Sequence, residues 1–155
     1  MLRPLENTDI DRLGQLWLHL ACTHHPSLPV AFWQSRLSPV LRRLSRDMEA
    51  RKADSAGLRC WVYANPTDNL PEGLVAISAN DEIQAVFVAP PQQRQGIGSE
   101  LLAQAKFNRA QLEVRVLEEN LRGRFFLQQH GFEEAARSYC QDARQDELVM
   151  LCRAA

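Results

Sequence analysis

A chain of 155 residues, 45% hydrophobic and 24% charged, suits one folded domain with one core and not a disordered segment. Its formal net charge of −1 gives no bulk signal for nucleic acid or a membrane surface, and no apolar run reaches the roughly 18–20 residues of a bilayer span. Met1-Leu2-Arg3-Pro4-Leu5-Glu6 lacks the apolar core of a secretion signal, so the expectation is a single domain, 1–155, in the cytoplasm, without nucleic-acid or membrane partners.

Leu2 to Leu5 reads as a short first strand. Thr8 is a helix cap with Asp11 three residues on, and Ile10, Leu13, Leu16, Trp17 and Leu20 recur at helical spacing until His24-His25-Pro26. A second helical region runs from about Ala31 to Lys52. Pro39 is expected to break it and restart it with Ser38 as cap, and Val40, Leu41, Leu44 and Met48 form its apolar side. Arg59–Ala64, Gly73–Ser78 and Glu82–Val88 read as strands joined by short turns, hence an antiparallel meander. A helix over Ser99 to about Arg109, a strand over Leu112–Val116 and a helix over Leu121–His130 follow, the last closed by Gly131 in a left-handed cap. Phe132–Cys140 and Glu147–Cys152 complete the chain as a hairpin. The strand–helix–strand crossover places 83–88 and 112–116 parallel, so the sheet is mixed, with helices on both faces. Cys22, Cys60, Cys140 and Cys152 form no C-x-x-C pair and read as reduced, partly buried residues, with no metal site.

Gln92-Gln93-Arg94-Gln95-Gly96-Ile97-Gly98-Ser99-Glu100 stands at a strand-to-helix junction. No lysine follows Gly98, as the Walker A loop requires, and the third glycine of the dinucleotide fingerprint is replaced by Leu101. A tight turn alone would also explain the two glycines. Backbone N–H groups from Arg94 to Ser99 are placed to meet an anion at the helix start, with Arg94 adding a cation.

The segment Gln93-Arg94-Gln95-Gly96-Ile97-Gly98 matches Q/R-x-x-G-x-G/A. With Val86-Phe87-Val88-Ala89-Pro90 before it, and Asn120, Phe126 and Gly131-Phe132 after it, the chain resembles the GNAT superfamily of acyl-CoA-dependent N-acyltransferases. Arg3 to Asp9 and the Leu16-Trp17 helix are also similar to small bacterial members, some of which acetylate protein lysines. The resemblance implies an α/β (α+β) GNAT fold: a mixed, mostly antiparallel sheet of six or seven strands and about four helices, whose fourth and fifth strands run parallel and splay apart. It implies acetyl-CoA as cofactor, its pyrophosphate on Gln93, Arg94, Gln95, Gly96, Ile97, Gly98 and Ser99. The pantetheine arm then lies along Phe87 and Val88 and within reach of Asn120. Gly98→Trp is expected to block this site.

Two positions depart from the family. Its tyrosine, an acid beside the sulfur, is here Leu127, counted among the cofactor-lining residues, and its alanine is Gly123. The carboxylate of the fourth strand is Gln84, so Glu82, two residues earlier and on the same face in a regular strand, is the candidate base. Glu118, Glu119 and the histidines His19, His24, His25 and His130 are further titratable groups. The expected activity is acetyl transfer to a primary amine (a small amine, a lysine or an N-terminus) by direct attack on the thioester. The alternative is an acyl-CoA-binding module with weak or no catalysis. Either a monomer or a homodimer is compatible with the final hairpin.

Overall fold

The computed structural model of the protein describes residues 1–49, 58–89 and 96–153. Strands β1 (Leu2–Pro4), β2 (Arg59–Ala64), β3 (Pro71–Ile77), β4 (Glu82–Val88), β5 (Gln111–Leu117), β6 (Glu133–Cys140) and β7 (Gln145–Arg153) form one sheet in the order β1-β2-β3-β4-β5-β7-β6. Helices α1 (Ile10–His24), α2 (Val30–Glu49), α3 (Ile97–Lys106) and α4 (Leu121–Gln129) complete the fold. The other neighbours are antiparallel: turns join β2 to β3, β3 to β4 and β6 to β7, the two helices α1 and α2 lie between β1 and β2, and β7 inserts beside β5, whereas β4 and β5 are parallel because the α3 crossover returns the chain to the same end of the sheet. The mixed sheet of the GNAT fold is therefore present.

Each face of the sheet carries its own core. On one, Leu13 and Leu20 of α1 and Leu44 of α2 pack on Val62, Leu74 and Ala76. On the other, Leu101 and Leu102 of α3 and Leu127 of α4 pack on Val75, Ile77 and Val114. Every residue of β3 is buried, as befits a strand covered on both sides. Each fully buried leucine stabilises the fold by about 1.5–3 kcal/mol.

Three local expectations are corrected. The first helix is not capped by Thr8 with Asp11. A 3-10 turn over Asn7–Asp9 precedes α1, and the N–H of Glu6 donates to Asp9 Oδ2 at 2.9 Å. Asp9 is chosen because it also receives the Arg3 guanidinium, Nη1 to Oδ2 at 2.7 Å and Nη2 to Oδ1 at 2.9 Å. Second, α2 runs through Pro39 without restarting, and the Ser38 hydroxyl donates back to the Gln34 carbonyl at 2.6 Å. Trp33, Leu37 and Leu44 are all buried at helical spacing on both sides of the proline, so tertiary packing outweighs the one missing N–H. Third, α3 stops at Lys106, short of Arg109, because Asn108 takes a left-handed φ of 58°. Residues 50–52 of the second predicted helix lie outside the described residues, as do Gln93, Arg94 and Gln95 of the glycine loop. The four cysteines form no disulfide with one another and are half-buried. Among the described residues no helix is long and apolar enough to cross a membrane.

Candidate active site

The parallel ladder between β4 and β5 is confined to Glu82↔Glu113 and Ile83↔Val114. Beyond it β5 stays with β7, pairing Arg115 with Val149 and Leu117 with Glu147, so β4 and β5 diverge toward their C-terminal ends. A β-bulge sits at the same place: Ala76 faces Ala85, but the next residue, Ile77, faces Ile83, leaving Gln84 as the extra residue. Its effect is visible in the cores. Ile83 belongs to the α3/α4 side, whereas Ala85 and Phe87 belong to the α1/α2 side. The alternation that linked Glu82 with Gln84 is interrupted here and no longer relates them. The wedge opens outside the carboxyl ends of two parallel strands, the usual ligand position of open α/β sheets.

One wall of the wedge is Val88 with the start of α3. Gly96 caps α3 with φ 78°, and a Cβ there would meet nothing within 4 Å among the described residues. The first intrahelical bond is Glu100 N to Gly96 O at 3.0 Å, so the amides of Ile97, Gly98 and Ser99 belong to the turn whose donors have no intrahelical acceptor. Gly98 is different. A Cβ there would lie 2.8 Å from Phe126 Cζ and 3.8 Å from Val88 Cγ2. Its missing side chain makes room for a ring of α4 that closes over the helix start.

Leu127, on the same turn of α4, is 3% exposed and packs in the α3-side core. The ring beside the glycine turn is therefore that of Phe126. Asn120 caps α4, its Oδ1 accepting from Gly123 N at 2.9 Å. An alanine Cβ at position 123 would fall 2.6 Å from Asn120 Nδ2, which accounts for the glycine where the family has alanine. Gly131 ends the helix with φ 88°, as expected, and the Phe132 amide returns to the Leu127 carbonyl at 3.0 Å. His130 bridges the two helices: Nε2 is 2.8 Å from Ser99 Oγ, and Nδ1 is 2.8 Å from the Phe126 carbonyl oxygen.

The α1/α2 side forms the other wall. Trp17 stacks on Phe87 at 5.7 Å, and Trp33 packs with Ala21, Leu117 and Ala143. His25 is buried against Trp33, ring centroids 4.4 Å apart, and its Nδ1 bonds to the Ala21 carbonyl at 2.7 Å. Burial lowers the pKa of His25, against the opposing pull of the Ala21 carbonyl and Glu119. His24 is lowered too, first by burial and then by Arg122.

Four acidic groups border this wall. Glu82 Oε1 lies 3.5 Å from Arg115 Nε, and Arg115 also approaches Glu147 at 3.7 Å, which is bound by Arg36 of α2 at 2.6 Å. Glu118 faces Arg137 at 3.5 Å. Glu119 is an anchor, a role not readable from the chain: its carboxylate accepts from the Ser27 amide at 3.1 Å, from the Ser27 hydroxyl and from Gln145 Nε2. It thereby ties the α1–α2 connection to β7. Burial pushes the Glu119 carboxyl up, but the bonds from Ser27 and Gln145 outweigh it and hold it below the usual range. Its contribution to stability is therefore complete above the unfolded carboxyl value, near 4.3, and is lost as pH falls through the lower folded value. Glu119→Ala is expected to cost about 1–2 kcal/mol at pH 7 and progressively less in acid, measured by denaturant unfolding across that range. Neither tyrosine replaces the missing hydroxyl by position. Tyr139 is 63% exposed on the edge strand β6, and Tyr63 lies on β2 beside a groove with Glu100 of α3 and Phe107 just after it.

These features define an acyltransferase of the GNAT class. Residues 56–134, just over half of the chain, match the acetyltransferase (GNAT) domain family, and the chain belongs to that family, which takes coenzyme A thioesters as acyl donors. It is 26% identical over 132 residues to the peptidyl-lysine N-acetyltransferase YiaC of Escherichia coli (strain K12), covering 85% of this chain and 82% of that protein. Its fold is similar to the apo form of YjaB from Escherichia coli, with TM-score 0.77 and 22% identity over 100% of this chain and 98% of that one. It is also similar to PaiA N-acetyltransferase from Thermoplasma acidophilum in complex with coenzyme A, with TM-score 0.76 and 16% identity over 99% and 98% of the two chains.

Proposed function

We propose that the protein is a single-domain, cytoplasmic N-acetyltransferase that moves the acetyl group of acetyl-CoA to a primary amine, with a peptide lysine as the first acceptor to test. The observation that carries this reading is the divergence of β4 and β5 immediately after Ile83, beside the open amides at the start of α3. Cysteines without a disulfide among them suit a reducing compartment, and the likeness to a peptidyl-lysine acetyltransferase supports the acceptor.

In this reading the cofactor supplies the thioester. The first-turn amides of α3 receive its pyrophosphate, and Gly96 leaves the approach clear. Asn120 already commits Oδ1 to its cap, so its Nδ2 is the group that donates to the pantetheine arm. The amine enters from the α1/α2 side and attacks the carbonyl, forming the C–N bond as the C–S bond breaks. Glu82, oriented by Arg115, takes the amine proton through water. The sulfur leaves as the thiolate and takes its proton from solvent, a tolerable departure without an acid at Leu127, since a thiol's ordinary pKa is about 8.5.

Coenzyme A release is expected with acetyl-CoA and a lysine peptide blocked at its N-terminus. A peptide with one free N-terminus and no lysine, and a polyamine, separate the acceptor classes. Glu82→Gln is expected to lower kcat by about 10²–10⁴-fold while the rise in melting temperature with acetyl-CoA is kept. Cofactor binding without release above hydrolysis for any amine refutes the reading and leaves the binding module.

A further inference from the structure

At the start of α3 a single hydroxyl proton has two claimants. His130 Nδ1 is bonded to the Phe126 carbonyl oxygen, which only accepts, so Nδ1 carries a hydrogen. In the neutral ring Nε2 is then a bare lone pair, and Ser99, at 2.8 Å, must donate to it. Ser99 has one proton to give. It is exposed in the first turn of α3, where a phosphate oxygen of the cofactor needs donors. Protonation of His130 removes the conflict. Nε2–H then donates to Ser99 Oγ, the Ser99 hydrogen is released toward the phosphate, and a positive charge stands behind it.

We propose that His130 is a cofactor-positioning residue, and that coenzyme A binding draws one solvent proton onto His130 Nε2 through the hydroxyl of Ser99. No bond of the cofactor is made or broken. The inference rests on the placement of the pyrophosphate at the first turn of α3. The groups facing the ring and its backbone are few. From α3 come Ser99 and Lys106, whose Nζ donates to the His130 carbonyl at 2.5 Å. From α4 comes Phe126, its ring 4.6 Å away, and from β7 Cys152, whose Sγ is 3.8 Å from the same carbonyl. Among the described residues no carboxylate is bonded to the imidazole, so the incoming phosphate is the anion that favours its charged form, against Lys106. Linkage is reciprocal: if binding promotes protonation, protonation tightens binding equally.

The test is calorimetric titration of the full chain with coenzyme A near pH 7, in buffers of low and high ionisation enthalpy. Wild type is expected to take up more protons than His130→Gln, by as much as one. Its affinity is expected to gain on the variant's by up to about tenfold per unit as pH falls. The cofactor's own phosphates titrate against both proteins, so the difference isolates the histidine. Ser99→Ala, at an exposed position, is expected to lose the extra uptake as well and decides the matter if His130→Gln does not fold. Equal uptake by wild type and His130→Gln overturns the proposal. Full uptake retained in Ser99→Ala overturns the relay. No binding by folded wild type overturns the cofactor placement itself, a distinguishable failure.

Discussion

Gly98→Ala is expected to lose coenzyme A binding and to destabilise the protein, and the two losses are expected to separate when Phe126→Ala is added. The Cβ introduced at position 98 would stand 2.8–2.9 Å from the Phe126 ring, so either the ring or the start of α3 must shift. Overpacking of this kind costs about 1–3 kcal/mol, a fall in melting temperature of roughly 2–4 °C for each kcal/mol in a chain of this size. Removing the ring removes the clash, so the double variant is expected to be more stable than the sum of the singles by about 0.5–3 kcal/mol. Cofactor binding behaves differently. A ligand of the native state raises its melting temperature, and that rise is expected to stay absent in the double variant if the phosphate needs the bare glycine backbone. If the double variant regains it, Gly98 is small for Phe126 alone. Gly98→Trp does not distinguish the two. Gly96→Ala is a weaker probe: among the described residues its Cβ meets nothing within 4 Å, but at φ 78° any side chain strains the backbone, so a loss of stability is expected there too.

The second large effect is far from the wedge. Asp9 is 3% exposed and holds Arg3, whose side chain is 12% exposed, while accepting the Glu6 amide. Arg3 also donates to Asn69 Oδ1 at 3.0 Å and to the Asn69 carbonyl at 3.1 Å. This one pair therefore joins β1, the turn before α1 and the β2–β3 connection. Asp9→Ala leaves a partly buried guanidinium without its carboxylate and is expected to cost about 1.5–3 kcal/mol. Arg3→Ala/Asp9→Ala is expected to cost less than Asp9→Ala, because no buried charge remains unpaired. Denaturant unfolding of the three variants checks this; a loss under about 1 kcal/mol for Asp9→Ala would mean the pair is solvated.

Much of the frame was legible because it rests on local signals. Arg59–Ala64 and Glu82–Val88 alternate as strands and are strands, and Gly131 takes its positive φ. The strand–helix–strand crossover made the fourth and fifth strands parallel, and the resemblance added that they splay. What escaped depends on distant partners. Asp9 outcompetes Asp11 because Arg3 reaches it, and Glu119 is an anchor because Ser27 and Gln145 converge on it. Pro39 reads locally as a break, yet Trp33, Leu37 and Leu44 hold one continuous buried face across it. The bulge at Gln84 adds a single residue, which no alternation rule detects, and it removes the simple route from Gln84 to Glu82. Leu127 reads as a lost hydroxyl; in the fold it is a core side chain, with Phe126 beside the glycines.

The short parallel ladder has a mechanical consequence. Two residue pairs join β1–β4 to the β5-β7-β6 half of the sheet, and helices bridge the rest. A pantetheine arm laid between β4 and β5 would act as an extra strut between two otherwise lightly stitched halves. Amide hydrogen exchange is then expected to slow on binding along β5 and β7, many residues from the glycines that hold the phosphate, as their local opening comes to require release of the cofactor.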